Sequence, residues 1–494
     1  MADDAPSPAV LEAFERLRRG DTLGAEEAVT KFAQAVEAKH GARSAEYASA
    51  QCDLGNVLLN VGDLDGAIKA MRRACEFDDP SNKAATRSRI TYLMNLGTLL
   101  HRSGGLDEAA LVLRENVAAR ASFYGKDHAG YGFGLEPLAA CLLAKGDLEE
   151  AARLAEETVE NFGKNRHPRV ATALVLRAET RKRLSPEQTA FEEVAKIPPE
   201  VAAALVPAVL ERISLSDMPT MLLVLQELTG ALAARLGAGH QAHVNAVIAT
   251  SNVARACRDW RASEAALGEL AKISDAAGKK ERALEARLGI ASAQSEDGRA
   301  EDALATYRDA AAHADAMDTA AKARVAREVG LYYSKLERRD EAERELRRSQ
   351  ALADESEHAE LMGRTRIALG IFLQHQADLD EARRILDGGI RYLDAADPDA
   401  ICARSHIEAI VENRSCGCGD MGNAMGSTLR EIVLEHAPPG LLENIRVEMK
   451  DGKPNVQVQL KREPKKDEIE LLNRLIRHAT EEVKRRALAR GYGS

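Results

Sequence analysis

Four residues near the end of the sequence have the types and spacing to hold a metal ion: Cys402, His406, Cys416 and Cys418. Cys402 and His406 stand four apart in "ICARSHIEAIVENR", a stretch with helical apolar spacing, so a helix would carry both on one face. Cys416 and Cys418 follow in the glycine-flanked "SCGCGD", where the backbone can fold closely around an ion. Together they spell Cys-x3-His-x9-Cys-x-Cys, three thiolates and one imidazole, the donor set of a closed tetrahedral zinc site. A structural zinc there would pin a small C-terminal module with little core of its own. Two other readings stay open. One is an inert turn with Cys402 packed beside Ile401; the other is a redox-active thiol pair whose disulfide would close a tight, labile ring.

Other chemistry is sparse. The sequence has no Gly-x-x-x-x-Gly-Lys-Ser/Thr phosphate loop, no Gly-x-Ser-x-Gly elbow and no His-Glu-x-x-His helix. "GYGFGLEP" is glycine-rich, but it opens a helix without the accompanying strand that a phosphate loop needs. Carboxylate pairs are plentiful and fall on solvated helix faces, so no enzyme is expected. His128, His167 and His240 recur at the junctions "YGKDHAGY", "FGKNRHPRV" and "LGAGHQAHV". Because they fall in different segments, they are read as helix caps or loop packing rather than as one metal or proton-relay site.

The elements that must position these residues are helical. Hydrophobic content of 45%, with 30% charged residues and only 4% aromatics, describes a globular chain that favours helix over sheet. A length of 494 residues exceeds one ordinary core and calls for several domains or a repeat array. The net charge of −10 opposes nucleic-acid binding by the chain as a whole. The N-terminus "MADDAPSPAV" has no apolar signal segment, and no run is long enough to span a bilayer. Seven cysteines, mostly scattered through helical patterns, fit a reducing compartment and hence the cytoplasm.

A repeat runs through most of the chain. "CDLGNVLLNVGDLDGAIKAMRRA", "MNLGTLLHRSGGLDEAALVLREN" and "EPLAACLLAKGDLEEAARLAEET" place small residues at Gly55, Gly97 and Ala139, and alanines at Ala67, Ala109 and Ala151, each series stepping by 42. The pattern returns at Ser251/Ser263, Ala291/Ala303, Gly330/Ala342 and Gly370/Ala382. Small residues twelve apart, with a Gly-Asp or Gly-Gly turn between them, let two antiparallel helices approach closely. One such pair cannot bury its apolar face alone, so pairs must stack.

This pattern resembles the tetratricopeptide repeat family over about residues 45–395 with a gap, and its 42-residue period resembles the kinesin-light-chain-like class. The resemblance implies an all-α solenoid of antiparallel helix pairs, and a concave groove lined by first helices that holds a protein or peptide partner. By register with the family's groove positions, Asn56, Thr98, Asn252, Arg255, Arg324, Arg327 and Arg364 are the candidate contacts. A carboxylate-clamp version is weakened, since Cys52 and Ile248 stand where that reading wants lysine, four before Asn56 and Asn252.

Five segments are expected. Residues 1–44 form a helical pair or cap, 45–184 a first array and 241–397 a second. Between the arrays, 185–240 carries five prolines within "SPEQTAFEEVAKIPPEVAAALVPAVLERISLSDMPTM" and should form shorter, irregular helices. Residues 398–494 hold the Cys/His helix and turn. They also hold a hairpin with strict alternation at Ile445, Val447 and Met449, then Val456, Val458 and Leu460 around Asp451-Gly452, and an amphipathic final helix. The last three elements would make a small α+β (ββα) module. From Ile445 on the chain is locally basic, with "KREPKK" and "KRRALAR". Three functions follow: a protein-binding scaffold, a regulator with a zinc- or redox-responsive Cys/His centre, and an RNA- or ribosome-associated factor using the basic final helix.

Overall fold

The computed structural model describes residues 7–192, 194–213, 216–394, 397–411, 442–450 and 453–462. These fall into two compact units, divided between Ala246 and Val247. In the first unit, α1 (Pro8–Arg18) and α2 (Thr22–His40) make the expected N-terminal pair. Three hairpins follow: α3 (Ala45–Val61) with α4 (Leu64–Cys75), α5 (Lys83–Arg102) with α6 (Leu106–Tyr124), and α7 (Ala129–Lys145) with α8 (Leu148–Lys164). Then come α9 (Val170–Leu184), α10 (Pro199–Ile213) and α11 (Met218–Leu236), and α12 (Gln241–Ala256) contains the division. The second unit continues with α13 (Trp260–Ala276). It then pairs α14 (Lys280–Glu296) with α15 (Ala300–Asp315), α16 (Thr319–Lys335) with α17 (Arg339–Ser356), and α18 (Ala359–His375) with α19 (Leu379–Ile390), and ends its helices with α20 (Pro398–Val411).

Each hairpin is built around the small residues. Ala67, Ala109, Ala151, Ala303, Ala342 and Ala382 are fully buried. A Cβ added at Gly97 would lie 2.6 Å from Leu113 Cγ, and one at Gly370 would lie 2.6 Å from Leu386 Cγ. The leucine four residues past the alanine thus packs directly onto the glycine of the partner helix in these two hairpins, as Leu346 does onto Gly330, and Met71 takes that place against Gly55. In the first unit the chain reverses through glycine: Gly62 takes φ 92° and Gly146 takes φ 95°. In the second unit glycine makes this turn at Gly298 (φ 76°), but the same left-handed turn is kept without glycine at Arg258 (φ 58°), Glu337 (φ 57°) and Ala377 (φ 65°). The hairpin geometry therefore outlasts the residue type that makes it easiest.

Within each unit, first helices touch first helices: α3, α5, α7 and α9 in one, and α14, α16, α18 and α20 in the other. Second helices are joined by a recurring ion pair. The arginine five residues after the buried alanine meets the glutamate one residue before the next alanine. This gives Arg72–Glu108 at 2.7 Å, Arg114–Glu150 at 2.5 Å and Arg347–Glu381 at 3.0 Å. All three are surface pairs, each worth about 0.2–1 kcal/mol, so they fix register more than they supply stability.

One expectation needs correction. The helices of the proline-containing segment are not short, since α10 runs for 15 residues and α11 for 19. Polar clamps replace the small-residue joint there. Arg212 meets Glu179 at 2.6 Å with both side chains buried, and Lys182 meets Glu227 at 2.7 Å. Glu227 also accepts the backbone N–H groups of Ala190 and Phe191 at 2.7 and 2.8 Å. Of the expected C-terminal ββα module only part lies among the described residues. Its hairpin backbone is present, β1 (Leu442–Lys450) antiparallel to β2 (Lys453–Leu460), with Ile445 opposite Val458 and Val447 opposite Val456. The final helix that would complete it lies outside the described residues, as do all but Lys461 and Arg462 of the basic segments "KREPKK" and "KRRALAR". No helix among the described residues is long and apolar enough to cross a membrane.

The close approach at Gly97 gives a direct expectation. Gly97→Val should destabilise the chain by about 1–3 kcal/mol, because the added Cβ alone would lie 2.6 Å from the Leu113 side chain. Urea unfolding followed by circular dichroism would measure it, and an unchanged midpoint would contradict the packing described.

Candidate functional site

The groove candidates separate into two chemically different sets. In the first unit, Asn56 is half-buried on α3 and its Nδ2 donates to Cys52 Sγ at 3.8 Å. Asn95 on α5 donates to the same sulfur from the neighbouring first helix, also at 3.8 Å. Thr98, exposed on α5, donates its hydroxyl back to the Met94 carbonyl at 2.8 Å. Asp53, half-buried beside Cys52, has its carboxyl pushed up to about 6 by burial. The Cys52 thiol is pushed up to about 11, by burial first and by the Asp53 charge second. Adjacent first helices therefore present a strip of carboxyl, amide and hydroxyl groups with no fixed cation among them. Asp53 and Asn95 were not among the sequence candidates. Their signal was available, because they stand 42 apart, at one repeat position three residues before Asn56 and Thr98.

In the second unit Arg324, Arg327 and Arg364 are already engaged. Arg324 on α16 reaches back to α14, pairing with Glu281 and with Glu285 at 2.7 Å. Arg364 on α18 meets Glu360 at 2.8 Å, Asp399 of α20 at 2.6 Å and Asp397 at 3.5 Å. Arg327 pairs with its neighbour Glu328 at 2.6 Å. Arg324 and Arg364 thus staple consecutive first helices instead of standing ready for a ligand. Asn252 and Arg255 are exposed on α12, and Arg255 has no ion-pair partner among the described residues.

The recurring histidines are caps. Gly130 N donates to His128 Nδ1 at 2.9 Å, Arg169 N to His167 Nδ1 at 3.2 Å, and Ala242 N to His240 Nδ1 at 3.1 Å. His358 does the same for Leu361 at 3.4 Å. Each supplies the acceptor that a helix N-terminus needs, and His128 also stacks on Tyr124 with ring centroids 5.2 Å apart.

Of the metal candidates, Cys402 and His406 are described and both lie on α20, with Cys402 half-buried. His406 is buried, its Nδ1 lies 2.6 Å from Gln374 Oε1, and burial together with His375 lowers its affinity for a proton. Cys416 and Cys418 lie outside the described residues, and no cluster of three or more metal-binding side chains occurs among the described ones.

Residues 48–80 match the tetratricopeptide repeat family. The chain thus carries a tetratricopeptide repeat in α3 and α4, and the same hairpin recurs along both units. Several solved structures are similar. A kinesin-light-chain-type protein of Podosopora anserina with nearly identical TPR-like repeats is 18% identical, over 42% of this chain and 96% of that one, with a TM-score of 0.34. A tetratricopeptide repeat protein from Parabacteroides merdae ATCC 43184 is 16% identical, over 64% and 98%, with a TM-score of 0.27. A Rap protein complexed with competence and sporulation factor is 10% identical, over 75% and 99%, with a TM-score of 0.27. Similarity at this level identifies neither a partner nor an activity for this chain. No curated protein matches the sequence.

The raised carboxyl of Asp53 gives a pH dependence. Its folded-state value of about 6 lies above that of the unfolded chain, so its contribution to stability is complete below about pH 4 and is lost as pH rises through 6. Asp53→Asn, which keeps the shape and stays neutral, should raise the melting temperature at pH 7.5 and leave it near wild type at pH 4. A difference independent of pH would contradict the burial argument.

Proposed function

We propose that the chain is a non-catalytic scaffold whose first-helix face holds an extended peptide or a helix of a partner protein, and that it works in the cytoplasm. The observation that carries this reading is the strip formed by Asp53 and Asn56 on α3 with Asn95 and Thr98 on α5. Side-chain amides both donate and accept, which suits a peptide backbone with its alternating N–H and C=O groups. The Asp53 carboxyl beside them adds an acceptor when ionised and a donor when protonated. Arg324 and Arg364 of the second unit contribute differently: by tying first helix to first helix, they hold the face in one arrangement and reduce the ordering needed on binding.

The test is to capture partners with the wild-type chain and with Asn56→Ala/Asn95→Ala, then identify them by quantitative mass spectrometry. At least one abundant partner should fall about tenfold or more on the double variant, a loss of two hydrogen bonds at about 0.5–1.5 kcal/mol each. Equal recovery of every partner would reject the strip as the binding surface.

A second reading is favoured by the surroundings of His406. With Nδ1–H donating to Gln374 Oε1, Nε2 is left as the lone-pair nitrogen, the arrangement a metal-bound histidine uses. Under this reading Cys402, His406, Cys416 and Cys418 hold a structural zinc. Purified protein should then contain about one zinc per chain by elemental analysis. Cys418→Ser should lose the metal and lower the melting temperature, whereas metal-free wild-type protein would end this reading.

A further inference from the structure

Four second helices carry arginine five residues after the buried alanine, and at one of these four joints the ion pair is not made. Arg308 stands five residues after Ala303, and Glu341 one residue before Ala342, the positions that pair as Arg72–Glu108, Arg114–Glu150 and Arg347–Glu381. Yet Arg308 and Glu341 do not meet. The cause lies four residues before the alanine. The receiving helices α6, α8 and α19 have Gly105, Asp147 and Asp378 there, but α17 has Arg338. Arg338 lies over the Tyr333 ring at 4.7 Å, and its Nε donates to Glu341 Oε1 at 2.9 Å. Glu341 is thus captured from within its own helix. Arg308 is left exposed, with no ion-pair partner among the described residues.

A cleft of 220 Å³ opens beside it, between α15, α16 and α17. Tyr307, Val325, Val329 and Tyr333 form its apolar part, and Arg308 and Lys322 stand at its rim. Lys322 likewise has no ion-pair partner among the described residues, while Arg348, also lining the cleft, is paired with Glu345 at 3.2 Å. Asp315 is the remaining acid on the rim. The volume lies below the range of a small-molecule site and suits one large apolar side chain.

We propose that this cleft docks a short acidic-apolar segment of a partner protein. A partner carboxylate takes the place on Arg308 that Glu341 would occupy in the register of the other joints, and a second acid lies toward Lys322. A leucine or phenylalanine beside these acids fills the cleft. Charge complementarity selects the occupant, since the chain's own repeats show that an arginine at this position receives a carboxylate from the adjoining segment. The surface belongs to second helices α15 and α17 with the α16 face between them. It is separate from the first-helix strip and does not depend on it.

The test uses a fluorescein-labelled peptide, acetyl-Glu-Leu-Glu-Phe-Glu-amide, and the same peptide with lysine in place of each glutamate, titrated by fluorescence anisotropy against the full chain. The acidic peptide should bind saturably and the lysine peptide should not. Arg308→Ala should weaken binding about tenfold or more. Arg338→Asp leaves every lining residue in place but gives α17 the residue type that precedes α19. It should free Glu341 for Arg308 and weaken the peptide by a similar factor, and adding Glu341→Gln to Arg338→Asp should restore binding. That rescue separates competition from misfolding. The proposal is overturned if wild type shows no saturable binding, if Arg308→Ala binds as wild type does, or if Arg338→Asp leaves the affinity unchanged.

Discussion

Everything in this molecule depends on how closely two helices can approach at one crossing. The hairpins set a small residue of the first helix against a buried small residue twelve residues later, and where the first is glycine, at Gly55, Gly97, Gly330 and Gly370, a leucine or methionine one turn beyond closes over the contact. Because the crossing is tight, the two helices are held nearly as one body. Because one hairpin has only one packed face, that body must stack on the next. The first helices are thereby brought side by side, which is what makes a continuous surface from residues 42 apart in sequence.

Charge then decides what the stacked surfaces can do. In the second unit Arg324 and Arg364 bind carboxylates of the neighbouring first helices, and the face is neutralised from within. On α3 and α5 of the first unit the corresponding face carries amides, a hydroxyl and the half-buried Asp53, and these groups are not committed to ion pairs. The same contrast holds on the second helices. Three joints satisfy their arginine internally, and one leaves Arg308 exposed because Arg338 holds Glu341. Where a repeat protein satisfies its own charges it gains register. Where it does not, it offers a place for another chain.

What was legible in the sequence was what depends on side-chain size and local order. The alanine and glycine steps gave the hairpins and the all-helical solenoid, and His128, His167 and His240 were readable as caps because each stands within three residues of a helix start. The alternation of Ile445, Val447, Val456 and Val458 gave the hairpin pairing. What was not legible depends on distant partners. Arg324 looked available because Glu281 and Glu285 lie 43 and 39 residues away, and Arg364 because Asp399 lies 35 away. The clamps at Glu179 and Glu227 were hidden for the same reason, so the proline-containing segment was expected to be less regular than it is.

The central claim is that a partner lies along the first helices of the first unit. The most direct measurement is site-specific photo-crosslinking, with a benzophenone amino acid placed at Thr98 on the first helix α5 or at Leu111 on the second helix α6, both exposed positions. Irradiation in cell extract should give partner-sized adducts from position 98 and none from position 111. Adducts from 111 alone, or from neither position while the unmodified chain still captures its partner, would contradict the account.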